Sequence, residues 1–191
     1  MGAPMEADWE VEIGGGAIID ACWPGLIDLR TSPGHAFDLP EAANFPSLAH
    51  SLVTLNAEDS PVWTSKCDLW PVPQGDFDPD ELDAPPESAF GLACYIDLLP
   101  RSSQLWSTPA LAVEWAKAAC DRLRKIPLHS CRIDLIIRRA IVTPDGPPDQ
   151  LELGITAYLT ACGATEAEAA QTLASALTTF ATTLNALSTV E

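Results

Sequence analysis

The chain has 191 residues, 47% of them hydrophobic, and a formal net charge of −17 because 27 acidic side chains face 10 basic ones. A chain of this length can bury a core without a metal or disulfide, and its apolar content excludes a disordered acidic tail. The negative charge makes nucleic acid and anionic lipid poor partners, since both would be repelled.

The first predicted elements are two strands and a helix. Residues 9–13 alternate apolar and acidic side chains, which is the period of a half-buried strand. The three glycines at 14–16 predict a hairpin turn, and a second strand follows at 17–20 and resumes at 26–30. A helix is predicted over residues 46–56, because leucines recur there on one face.

The remaining strands and a second helix follow in the rest of the chain. Thr108 and Pro109 open a helix with an apolar stripe that ends before Pro127. The four strands are predicted from β-branched or alternating apolar runs at residues 62–72, 89–99, 131–142 and 151–161.

The last helix has the clearest pattern. Thr165 and Glu168 have the spacing of a capping box, which predicts a helix start just after Gly163. An apolar seam then recurs every three or four residues, at Leu173, Leu177, Phe180, Leu184 and Leu187.

This order of elements predicts an α+β fold with helices on one face of a mainly antiparallel sheet. Its central β-α-β-β-α-β run suggests a ferredoxin-like two-layer sandwich, extended by an extra C-terminal strand and helix. Residues 1–191 are expected to form one domain. An acidic loop at 74–87 could divide it into two halves, 1–73 and 88–191, that share one sheet.

The acidic loop at 74–87 has carboxylates spaced partly like those of a calcium-binding loop. The candidate ligands are Asp76, Asp78, Asp80 and Glu87. Position 6 of that register is Glu81 where a calcium loop needs glycine, so no metal site is predicted. The alternative interpretation is that Asp78 caps a helical turn that begins at Pro79.

The basic residues concentrate between positions 121 and 139. Arg132 and Arg138 fall on one strand face and Arg139 on the other, where guanidinium groups could hold a phosphate or carboxylate. The alternative is that these arginines neutralise nearby acids, with Glu152 on the adjacent strand as the obvious partner.

Cys162 lies where a strand ends and a helix begins, a position whose partial positive charge favours a thiolate. It is a candidate nucleophile if His35, His50 or His129 lies near it. The favoured interpretation is an inert buried thiol, because the sequence places none of these histidines beside it.

The last helix and two tryptophans suggest surfaces. Opposite its leucine seam the helix has an uncharged, hydroxyl-rich face, and charge depletion is typical of interface cores. That face comprises Thr172, Ser175, Thr179, Thr182 and Thr183. Trp70 and Trp106 are the tryptophans least constrained to the core by their patterns.

The sequence therefore favours a cytoplasmic binding or assembly module over an enzyme. It is expected to self-associate through the C-terminal helix and to bind a protein or a small anion, without a cofactor, nucleic acid or membrane. No signal peptide is visible, and ten polar residues interrupt the uncharged stretch 169–190. The alternative is an enzyme that uses Cys162 as nucleophile or the loop 76–87 as a divalent-metal site.

Overall fold

The computed structural model describes residues 4–143 and 152–187. Within these ranges six strands form one sheet: β1 (Glu6–Glu12), β2 (Ile19–Asp20), β3 (Val62–Val72), β4 (Phe90–Pro100), β5 (Cys131–Ile141) and β6 (Leu153–Gly163). The α-helices are α1 (Pro40–Ala43), α2 (Pro46–Leu55), α3 (Pro109–Leu123) and α4 (Glu166–Asn185). Short 3₁₀ helices occupy Pro33–Asp38 and Pro79–Leu82.

The α+β class is confirmed, but the ferredoxin-like strand order is not. The strands lie in the order β1-β5-β6-β4-β3, and β1 runs parallel to β5 while the other long pairs are antiparallel. β6 was expected as an added strand, yet it lies at the centre. Its residues are mostly buried, and Tyr158 and Thr160 are the partly exposed ones.

The glycines at 14–16 do not form the predicted hairpin. β1 and β2 both pair with β5 in parallel, so the chain leaves that edge and rejoins it in the same direction. Among the described glycines only Gly75 has a positive φ, and residues 26–30 form turns and irregular backbone instead of a strand. A parallel continuation needs none of the left-handed backbone that a tight hairpin turn requires.

The main hydrophobic core lies between the sheet and the helices. Alternate residues of β4, β5 and β6 point into it. The predicted seam is 4% exposed or less throughout, with four of its members on α4 and Leu187 two residues beyond the end of the helix. The backbone N–H of Glu168 donates to Thr165 Oγ1 at 3.2 Å, which confirms the helix start. Strands from both sides of residues 74–87 share the one sheet.

No α-helix of the described residues lies on the opposite face of the sheet, which is called the open face below. Described residues, including the 3₁₀ helix Pro79–Leu82, cover its ends. Ile19 and Ala21 pack over one end against Trp63 and Leu99, and the loop residue Leu82 packs over the other end against Cys162. No helix among the described residues is long and apolar enough to cross a membrane.

Candidate functional site

Arg132 lies on the open face, as alternation predicted, but an acid already engages its guanidinium. Arg132 Nε donates to both carboxylate oxygens of Asp134, at 2.8 and 3.0 Å, and its Nη2 lies 2.8 Å from Oδ1. This pairing raises the pKa of the guanidinium. The geometry favours neutralisation of a neighbouring acid over an anion site.

Arg138 shares that face and is also engaged. Its Nε and Nη2 donate to Glu12 Oε2 at 3.0 and 2.8 Å, and its Nη1 lies 3.4 Å from the hydroxyl of Tyr158. Arg139 points elsewhere and donates to the carbonyl of Gly15. The three candidate arginines therefore do not converge on one ligand position.

Glu152 is not the partner of these arginines, contrary to the sequence-based interpretation. The antiparallel register of β5 and β6 places Gly154 opposite Arg138, so Glu152 lies beyond the arginines. Its carboxylate instead accepts from the backbone N–H of Val142 at 2.7 Å and that of Thr143 at 3.4 Å. Glu152 thus caps the end of β5.

A groove of about 480 Å³ next to Arg132 is strongly acidic. Arg132 lines this groove together with six carboxylates, those of Asp8, Glu10, Asp76, Asp78, Glu81 and Asp134. Such a field repels anions and attracts cations. We call this the acidic groove.

The loop candidates for metal binding are not gathered into a metal site. Asp78 Oδ1 accepts from the backbone N–H of Asp80 at 3.0 Å and caps the 3₁₀ helix Pro79–Leu82, as the alternative interpretation predicted. Asp76, Asp80 and Glu87 are exposed. Across the described part of the chain, no three His, Cys, Asp or Glu side chains are placed to hold a metal ion.

Cys162 is 1% exposed and packs with Phe77, Leu82 and Ala84. Burial raises the pKa of its thiol, the opposite of what the helix start was expected to do, because desolvation disfavours the thiolate. Among the candidate bases, His50 stacks edge-on against Phe37, and His129 Nδ1 lies 3.0 Å from the Ser130 hydroxyl. The environment is that of an inert buried thiol.

The centre of the open face carries a feature that sequence reasoning missed. Tyr95 on β4 and Tyr158 on β6 are directly opposite each other, with ring centroids 6.1 Å apart. They are the only tyrosines in the sequence. Both are half-buried, and Trp70 continues the aromatic surface, with its ring centroid 6.2 Å from that of Tyr95.

Carboxylates flank the two tyrosines in one row across all five long strands. The register places Asp68 beside Tyr95, and Asp134 beside Tyr158. Asp8 on β1 pairs with Asp134 and ends the row. We call the residues Asp8, Asp134, Tyr158, Tyr95 and Asp68 the tyrosine row.

Asp97 lies next to the tyrosine row, 6% exposed. Its Oδ1 accepts from the Thr156 hydroxyl at 2.7 Å. Burial raises the pKa of this carboxyl group, although Thr156 and the charges of Lys66 and Arg138 oppose the rise. Burial, with repulsion from Asp97 and Asp68, also raises the pKa of Tyr95 to about 12.

On the hydroxyl-rich face of α4, Ser175 and Thr182 satisfy their own hydroxyl groups, as does Thr178 beside them. Ser175 Oγ donates to the carbonyl of Gln171, and Thr178 and Thr182 donate in the same way to carbonyls one turn back. Ser175 and Thr182 are exposed, whereas Thr172, Thr179 and Thr183 are partly covered. A second surface can therefore cover this one without leaving these three hydroxyl groups without a hydrogen bond.

The two tryptophans singled out from the sequence differ in position. Trp70 is half-buried on the open face, whereas Trp106 is 2% exposed and packs edge-on against Trp115 with centroids 5.1 Å apart. The alternation of the strand 151–161 already pointed Tyr158 away from the core. The sequence contained no signal that Tyr95 would be its neighbour, because that depends on which strands pair.

Comparisons with protein-family models, with curated proteins and with solved structures find no match for this chain. Its function is therefore inferred from the geometry alone.

Proposed function

We propose that this protein is a binding module and that the open face is its binding surface for a protein partner. The observation that carries the proposal is the direct pairing of Tyr95 and Tyr158 at the centre of a sheet face on which no α-helix of the described residues lies. Tyrosine, tryptophan and arginine are the residues most enriched at binding hot spots, and Trp70 and Arg138 adjoin this pair.

The surroundings of the tyrosines suit a preformed surface. Both tyrosines lie on strands paired on both edges, so the backbone beneath them is held by two ladders of hydrogen bonds. Small or short side chains surround them on the same face, at Ala93, Gly154, Thr156 and Thr160. A rigid surface loses little conformational entropy when a partner binds.

A small anion is less well supported than a protein partner. Both arginines of the open face, Arg132 and Arg138, already pair with carboxylates, and the acidic groove next to Arg132 would repel an anion. A phosphate would have to displace Asp134 or Glu12 to gain equivalent hydrogen bonds.

Self-association through α4 is a second proposal. It is supported by the internal hydrogen bonds of Ser175, Thr178 and Thr182, which leave an uncharged face that a second copy can cover. Sedimentation equilibrium at increasing protein concentration would show a dimer that Ser175→Glu abolishes. A monomer at all concentrations would contradict it.

We place the protein in the cytoplasm. Cys94, Cys120, Cys131 and Cys162 are buried, as small hydrophobic residues are, which is typical of proteins from reducing compartments.

The test compares partner capture by three forms of the full chain. Protein from a lysate of the source cells is passed over immobilised wild type, Tyr158→Ala and the control Ser175→Ala, which alters exposed α4. We expect one protein to be retained by wild type and Ser175→Ala and lost from Tyr158→Ala. Equal retention by Tyr158→Ala, with its unfolding midpoint unchanged, would contradict the open face as the binding surface.

A further inference from the structure

We infer that the open face recognises a basic, arginine-containing segment of its protein partner. The inference rests on the proposed binding role of the face and adds the chemistry of the partner.

The charges of the open face favour a cationic partner. Strand alternation and the pairing registers place Asp68 and the acids of β1 on this face together with the acidic groove. The cations Arg132 and Arg138 each form an ion pair within the face. Four acids on or beside this face are exposed and form no side-chain ion pair with a described residue: Glu10, Asp68, Asp76 and Glu81.

Two arginines of the chain itself show how this face holds a guanidinium. Arg132 is bound side-on by Asp134 at the rim of the acidic groove. The guanidinium carbon of Arg138 lies 5.7 Å from the centroid of the Tyr158 ring, while Glu12 accepts two of its hydrogen bonds. A carboxylate therefore holds each guanidinium on the open face, and the guanidinium of Arg138 also lies near an aromatic ring.

The same combination recurs at the other end of the tyrosine row, where the nearby cation Lys66 lies over the Trp23 ring, 5.3 Å from its centroid, and forms no ion pair with a described acid. Tyr95 lies beside the exposed carboxylate of Asp68 and next to the Trp70 ring. A guanidinium over Tyr95 would meet an aromatic face and a carboxylate, which are the two features that favour arginine over lysine. Asp97, with one oxygen held by Thr156, adds negative potential beside this position.

An extended peptide has the dimensions to use both positions. Side chains two residues apart in a strand lie on one face, roughly 7 Å apart. Neighbouring strands of a sheet are about 4.8 Å apart, so one or two strand spacings separate the Tyr95 position from the rim of the acidic groove. Two arginines at alternate positions can therefore reach Asp68 and the acidic groove together.

The experiment is calorimetric titration of the full chain with acetyl-Gly-Arg-Gly-Arg-Gly-amide at low salt. The same peptide with citrulline in place of arginine keeps the shape and removes the charge, and spermidine supplies cations without a peptide. Asp68→Asn and Glu10→Gln remove acids of the face. Asp59→Asn, at an exposed turn outside the face, makes the same charge change.

We expect saturable binding of the arginine peptide and binding of the citrulline peptide weaker by about tenfold or more. Asp68→Asn should weaken the affinity for the arginine peptide by about threefold, the scale of an exposed ion pair, and Asp59→Asn should leave this affinity unchanged. Equal loss in Asp59→Asn, equally tight spermidine binding, or no peptide binding would each overturn the inference. The binding role would survive the last result if partner capture still depended on Tyr158.

Discussion

Tyr95 and Tyr158 occupy directly opposite positions on the adjacent strands β4 and β6, with their rings tilted by 50° and their centroids 6.1 Å apart. Because the strands pair in antiparallel register, the two side chains share the open face and contact each other across the middle of the sheet. The proposed binding surface depends on this relationship.

The tyrosine pair should contribute a measurable coupling energy. Tyr95→Ala, Tyr158→Ala and the double variant form a cycle in which urea unfolding gives each free energy. We expect a coupling of about 0.5–1 kcal/mol, the scale of an aromatic cross-strand pair. Strictly additive losses would mean that the rings do not interact.

Asp97→Asn should change how stability depends on pH. Burial places the folded pKa of Asp97 above its unfolded value, so between the two values the folded chain holds a proton that the unfolded chain has lost. The wild type therefore loses stability as pH rises through this interval. Asparagine does not titrate, and its Oδ1 can still accept from Thr156.

The free energy of unfolding of Asp97→Asn relative to wild type should accordingly rise from acid pH towards neutral and then level off. Urea denaturation of both proteins across that range measures the difference directly. A difference that is constant, or that falls as pH rises, would show that the folded protein does not raise the pKa of the Asp97 carboxyl group.

Gly163→Ala should destabilise the junction between β6 and α4. A Cβ at this position would lie 2.7 Å from Glu168 Cβ and 2.8 Å from the backbone nitrogen of Ala169, so the first turn of α4 would have to move. We expect a loss of about 1–3 kcal/mol in the free energy of unfolding. Gly34→Ala, where a Cβ has no neighbour within 4 Å, is the matched control and should change stability by under about 0.5 kcal/mol.

Cys162 should resist alkylation in the native protein. Both Cys162 and Cys94 are 1% exposed or less, and burial raises the pKa of each thiol. In the native protein at neutral pH, iodoacetamide should therefore modify both thiols at similarly low rates. Modification should become fast only after urea unfolds the chain, as peptide mass spectrometry would show. Fast, selective modification of Cys162 would restore the alternative of a cysteine enzyme.

Local elements were well predicted because their signals are local. The helix start at Thr165, the seam of α4 and the strand Val62–Val72 follow from capping chemistry and side-chain periodicity over a few residues. The shared face of Arg132, Asp134 and Arg138 follows from the two-residue period of a strand.

Pairing between distant segments was not predictable in the same way. Nothing in residues 14–16 distinguishes a hairpin from a loop that rejoins the same edge of β5. The predicted hairpin pairing of β2 was therefore wrong. The position of β6 between β5 and β4 depends on burial of the whole sheet. Consequently the partner of Glu152 was assigned wrongly, and the neighbour of Tyr158 was not identified.

The most direct test of the open face as a binding surface uses selective ring labelling of the two tyrosines, which gives two NMR signals. On titration with the arginine peptide, both signals should shift and saturate together, because Tyr95 and Tyr158 lie at the centre of the proposed site. If binding is seen by calorimetry while neither tyrosine signal moves, the peptide binds elsewhere and the open face is not the binding surface.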